Sequence, residues 1–149
     1  MADLVVTVSE SVTINGALRG SSNTVTVADV TSTFERVVTC PHSNVTTIAT
    51  FNSNVYASAG AIDLENTKYI RVTNTSTTAA MDLAVVTENT NYQVVLTAGA
   101  SHMLCQADTA AIAEVDTSPN FPTLEDITSI QVKPRGTDDA NVEIFVAVL

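Results

Sequence analysis

Across residues 68–104 the chain reads KYIRVTNTSTTAAMDLAVVTENTNYQVVLTAGASHML, in which alternating apolar runs are separated by polar breaks and a Gly-containing turn precedes the final run. Alternation with period two predicts half-buried strands, because successive side chains on a strand point to opposite faces. The polar breaks predict hairpin-type connections. Ile70, Val72, Met81, Leu83, Val85, Val94 and Leu96 are the expected packing positions, and this stretch is expected to organise the sheet.

The same rule places strands elsewhere. Residues 4–8 alternate and continue to Val12 and Ile14 before Asn15-Gly16, so that Leu4, Val6, Val8, Val12 and Ile14 share a face, interrupted by a bulge at Glu10. A turn is expected at 20–23, then a strand over 24–30 with Val25 and Val27 together. Residues 34–40 put Phe34, Val38 and Cys40 on one side, and Pro41, which cannot donate to a ladder, ends the run. Residues 45–51 offer Val45, Ala49 and Phe51 for burial, and residues 127–133 offer Thr128, Ile130 and Val132.

The last run, 141–149, is apolar on both sides: Val142, Ile144, Val146 and Val148 on one, Phe145, Ala147 and Leu149 on the other. Both faces apolar describes a central strand of a sandwich, or one whose second face is covered by another subunit. Two irregular segments remain. Residues 52–66 read as a surface loop with a short strand in it, and 108–126, with Pro119 and Pro122, as a long loop with one helical turn over 110–114. Loops of this length are usually functional or reach a neighbour. Eight or more short strands without long helices predict a single all-β domain over 1–149: an antiparallel β-sandwich, with a jelly roll among its topologies, and little or no helix.

Composition strengthens the β reading and narrows the partners. Thr (23) and Val (21) are the commonest of the 149 residues, and both are β-branched and suited to a pleated surface. With 16 Asp and Glu against 6 Lys and Arg, the formal charge is −10 and the pI about 4.2. Such a chain does not track a phosphate backbone and is repelled by anionic lipid, so neither nucleic acid nor membrane is expected. The charge serves solubility, or else contact with a basic patch on a protein or weak cation binding. The opening residues lack a secretory signal, and no apolar run approaches the roughly 20 residues of a spanning helix, which predicts synthesis in a cytoplasm. The sequons at Asn44 and Asn74 then carry no meaning, and two Cys make no disulfide framework.

Candidate chemistry is sparse. Cys40, His42, His102 and Cys105 match the ligand count of a zinc site, but His-x-x-Cys puts its side chains on opposite faces of a strand, and close Cys pairs are missing. Two unrelated thiols are expected, with a Cys40–Cys105 disulfide as the alternative in an oxidising medium. Ser101 and His102 are neighbours that point oppositely, and no nucleophile elbow exists. Asp63 with Glu65, Glu114 with Asp116, and Asp138 with Asp139 read as solvated turn residues rather than a calcium loop. None of the five Gly stands in a phosphate-binding pattern. No cofactor, no metal and no enzymatic activity are expected.

Tyr69-Ile70-Arg71-Val72-Thr73-Asn74-Thr75, the run 81–86, and Leu96-Thr97-Ala98-Gly99-Ala100-Ser101 together resemble a pattern of small β-sandwich virion proteins of tailed bacteriophages. There, a strand ending in R-x-T-N leads into a polar hairpin, and a later L-x-x-G-x-S precedes a closing strand. Phe34-Glu35-Arg36-Val37-Val38 fits the same pattern, and the resemblance covers about half the chain. It implies a capsid decoration (cement) protein, made in a host cytoplasm and residing in the virion, bound to the major capsid protein or other virion proteins as a homo-oligomer, a trimer being favoured. The alternative is a tail, neck or fibre-associated sandwich that binds a receptor or carbohydrate. Partner contacts are expected at Phe145, Ala147 and Leu149, at Pro119 and Phe121 in the second irregular segment, and at Arg71, poised to meet a carboxylate across an interface.

Overall fold

A computed structural model describes residues 2–105, 109–111, 113 and 121–149. In chain order the strands are β1 (Ala2–Ser9), β2 (Val12–Ile14), β3 (Ala17–Arg19), β4 (Ser22–Val30), β5 (Ser32–Cys40), β6 (Thr46–Asn52) and β7 (Ile62–Asp63). They continue with β8 (Thr67–Asn74), β9 (Met81–Thr87), β10 (Asn91–Leu96), β11 (Ser101–Leu104), β12 (Thr109–Ala111), β13 (Glu125–Pro134) and β14 (Ala140–Val148). One 3-10 turn, Val55–Ala57, is the only helical element among the described residues.

Eight strands build two facing sheets, in the orders β11-β8-β14-β5 and β10-β9-β13-β6, with β7 added beyond β6 and β12 also pairing β13. From β5 onward the chain enters these sheets as first, second, first, second, second, first, second, first. That winding is the jelly roll, an all-β sandwich of the class its sequence predicts. Its pairs are antiparallel, and the short β7 alone runs parallel to its neighbour β6.

The core lies between the sheets. Val142, Ile144 and Val146 of β14 face Met81, Leu83, Ile130 and Val132, all at most 1 % exposed, with Ile70 and Val72 beside them. Burying aliphatic side chains of this size contributes about 1.5–3 kcal/mol each. Of the packing positions expected over 68–104 all are buried except Val94, which is half-buried against the same cluster.

Only one of the expected hairpin breaks in that stretch is a hairpin. β9 returns as β10 over 88–90, with Thr87 N donating to Thr90 O at 2.9 Å. The other break, 75–80, instead carries the chain from one sheet to the other, as does the Gly-containing turn at 97–100, and Asn74 ties both. Its fully buried Nδ2 donates to Ala79 O (2.8 Å) and Leu96 O (3.0 Å), while its Oδ1 accepts from Ser76 N (3.0 Å). Its backbone N donates to Ala100 O and its carbonyl accepts from Gly99 N, both at 2.9 Å.

Two bulges correct the expected burial. β13 pairs Ile130 with Ala49 and Gln131 with Thr47, so Ile48 is the extra residue of β6 and both Ile48 and Ala49 turn inward. Upstream the alternation is reversed, which leaves Val45 exposed rather than buried. Likewise Ile127 pairs with Thr87 and Ser129 with Val86, making Thr128 the extra residue. Thr128 is therefore exposed and Ile127 takes the core position. The expected helical turn over 110–114 is also replaced where the structure describes it, since Ala110 and Ala111 belong to β12; Ile112 and Glu114 lie outside the described residues.

Candidate interaction surface

Residues 2–30 are set apart from the sandwich. β1 pairs with β4, and β2 with β3, as a single bent ribbon. Its reversal is at Asn15-Gly16, whose φ of 51° and 78° suit the two-residue loop that follows the twist of paired strands. The turn expected at 20–23 is instead the ribbon's bend: Ser22 and Asn23 are already in β4, and Glu10 N donates across to Ser21 O at 2.9 Å. Gly20 permits the close approach there, with φ +119° and room for no Cβ, which would lie 2.0 Å from Glu10 O.

The ladder sorts the side chains onto two faces. Leu4 opposes Val27, Val6 opposes Val25 and Val8 opposes Asn23, giving a face that is aliphatic apart from Asn23. Val5, Thr7 and Ser9 oppose Thr26, Thr24 and Ser22, giving a face of hydroxyls apart from Val5, with Thr7 and Thr24 Oγ1 atoms 3.0 Å apart. Leu4, Val6 and Val27 are half-buried at the ribbon's base. From residue 7 to residue 26 every residue is exposed, including Val8, Val12, Ile14, Leu18 (73 %) and Val25.

The base of the ribbon meets the outer face of the β11-β8-β14-β5 sheet, where Leu4, Val5, Val6 and Thr7 line a cavity of about 300 Å³ with Tyr69, Arg71 and Phe145. Phe145 stands edge-on to Tyr69, ring centroids 6.2 Å apart, and Ala147 is fully buried. Burial pushes the Tyr69 phenol pKa up, against the pull of Arg71. Arg71 finds its carboxylate within the chain: Nη2 bonds Glu143 Oε1 and Nη1 donates to Thr73 Oγ1 at 2.7 Å. Three of the expected contact residues, Phe145, Ala147 and Arg71, are thus gathered on one face, already partly covered by the chain's own ribbon. Leu149 is at its margin, 37 % exposed, its N–H given to Asn66 O. Phe121 is far more open, 85 % exposed with φ 51°, and Pro119 lies outside the described residues.

Several of the polar candidates are occupied in structural bonds. His42 N donates to Asp139 Oδ1 at 2.9 Å, with Nδ1 at the same distance, and these bonds hold the Asp139 carboxyl below its usual range. Asp63 accepts from Asn66 Nδ2 at 2.8 Å. Glu125 accepts from Thr87 Oγ1 (2.5 Å) and from Asn89 N and Nδ2 (both 3.1 Å), which lowers its pKa and pins the β9–β10 turn. This carboxylate lines a cleft of about 460 Å³ with Phe51, Leu64 and Leu124. Cys40 is buried and Cys105 exposed, and both are free thiols. Ser101 and His102 point apart, Ser101 to Thr73 Oγ1 at 2.7 Å and His102 to Tyr92. Among the described residues no three His, Cys, Asp or Glu converge as a metal site. Glu114 and Asp116 lie outside the described residues.

What the sequence reading missed is the ribbon as a surface. The signal present in the sequence is charge: residues 4–28 hold only Glu10 and Arg19 in a chain with 22 charged residues. Comparison with protein families, curated proteins and solved structures finds no match to this chain.

Proposed function

We propose that this chain is a structural subunit of a tailed-phage virion, of the capsid-decoration type, that holds to neighbouring proteins by burying surface. The observation that carries this reading is the ribbon, which is ordered β structure exposed at every position from 7 to 26. A lone two-stranded ribbon is at best marginal in water. Covering Val8, Val12, Ile14 and Val25 on a partner would contribute up to about 1.5–3 kcal/mol for each side chain fully buried. Such a patch on a body of net charge −10 is an element suited to being covered.

The jelly-roll winding supports the reading by analogy alone, since that topology recurs in capsid and lectin domains. The acidic surface keeps the subunit off packaged nucleic acid and leaves protein as its partner, the major capsid protein first. Co-sedimentation with heads of the encoding phage tests this. Saturable binding is expected, and its loss when residues 11–20 are replaced by a Gly-Ser loop. A wild-type chain that stays in the supernatant with both heads and tails, or that binds instead on a glycan array, overturns the proposal.

A further inference from the structure

The chemistry of the ribbon's face identifies its occupant. Val8, Val25, Val12 and Ile14 form an exposed, mainly aliphatic surface, in which Arg19 stands opposite Val12 and Asn23 opposite Val8. A strongly charged partner surface laid on such a face would lose hydration with little to replace it. The matching surface is another mainly aliphatic face, and each copy of this chain carries one.

The charge distribution favours the same place for self-contact. Eighteen of the 22 charged residues lie beyond residue 30, where they sum to −8, so two sandwich bodies repel on close approach. Contact through ribbons that stand off the bodies avoids that repulsion. Of the sandwich's edge strands, β5 is guarded by contrast. β5 pairs on one side only, with β14, and carries exposed Glu35 and Arg36, the latter on its core-facing side. Charges in such positions discourage another strand from adding.

We infer that ribbons from separate copies pack face to face through Val8, Val25, Val12 and Ile14, joining this chain into a homo-oligomer with its acidic bodies held outside. Sheet faces pack in this way about 10 Å apart. This rests on the docking role proposed for the ribbon and deepens it: a second copy covers the aliphatic face, and the oligomer so joined is what docks on the head.

The test is light scattering on the full chain at tens of micromolar, with three variants. The wild type is expected to be an oligomer. V8E/V25E, which puts carboxylates on the aliphatic face, is expected to run as a monomer, and the milder V8T/V25T to dissociate at about tenfold higher concentration. S9E/T26E adds the same charge to the hydroxyl face and is expected to leave the oligomer intact. All variants should keep the sandwich's thermal midpoint, since none of these side chains is in its core. A monomeric wild type, or an oligomer that survives V8E/V25E, overturns the inference. If a monomeric wild type still co-sediments with heads, the inference fails and the decoration role stands. If a ribbon-dependent oligomer ignores heads, the inference stands and the decoration role fails.

Discussion

Tyr92 Oη lies 2.9 Å from His102 Nε2, and this hydrogen bond links β10, an edge strand of one sheet, to β11, an edge strand of the other. The rings meet edge to face with centroids 5.8 Å apart. Burial pushes the His102 pKa below its ordinary value and the Tyr92 pKa above its own. Both groups are thereby held neutral across this hydrogen bond.

This relationship sets a pH dependence with a definite sign. Above the ordinary histidine pKa, near 6.5, His102 is neutral in folded and unfolded chains and its contribution is complete. As pH falls through that value the unfolded chain takes up the proton first, so stability declines until the lower folded-state pKa is passed. Urea midpoints between pH 7.5 and pH 5 should therefore fall more steeply for wild type than for His102→Phe. Equal slopes would show that His102 does not titrate in this way.

Asn74 should be among the most sensitive polar positions. Replacing it with Ala strands Leu96 O at a buried site and Ala79 O and Ser76 N at partly buried ones, and a fully buried unsatisfied group costs about 1–3 kcal/mol. A loss of about 3 kcal/mol in chemical denaturation is expected. Asn74→Asp should do no better, since a carboxylate cannot donate to the two carbonyls.

Gly20 and Gly16 separate crowding from backbone strain. Gly20→Ala places a carbon against Glu10 O, so the bend must open and the amides of residues 10–21 should exchange quickly. The sandwich's midpoint should not move, because none of those residues is buried. Gly16→Ala meets nothing within 4 Å at φ +78° and should cost only the left-handed strain, about 1–2 kcal/mol, confined to the ribbon. A drop in the midpoint of the whole domain for Gly20→Ala would mean that ribbon and sandwich unfold together.

Arg71 and Glu143 should be weakly coupled. Their side chains are 30 % and 25 % exposed, and water screens such a pair to about 1 kcal/mol or less. A double-mutant cycle with Arg71→Met and Glu143→Gln is expected to return that value, with the oligomeric state unchanged. A coupling of 3–5 kcal/mol would mark the pair as fully desolvated instead.

Much of the sandwich was legible because strand parity is local. The β14 alternation of Val142, Ile144, Val146 and Val148 stands in the core as its spacing predicts, and the loop at 52–66 does contain a short strand, β7. Parity fails where a single inserted residue reverses it, as Ile48 does for Val45 and Thr128 for Ile127. An extra residue in a ladder is defined by the partner strand, which the local sequence does not name. The contact face is legible to a lesser degree. Phe145, Ala147 and Arg71 are expected contacts that the sheet brings to one face, yet Arg71 pairs within the chain because β14 sets Glu143 beside it.

The sequence by itself determined that this chain is all-β, which side chains share a face along β8, β9 and β14, and that residues 4–28 are nearly free of charge. Only the tertiary structure decided that β8 and β9 belong to opposite sheets, that Asn74 is a buried junction, and that the ribbon of residues 2–30 has no sheet across from most of its aliphatic face. The physical reason is the same in each case. Alternation records which side chains point together, and the ribbon and the core strands alternate alike. What those side chains point at depends on distant parts of the chain, or on another molecule.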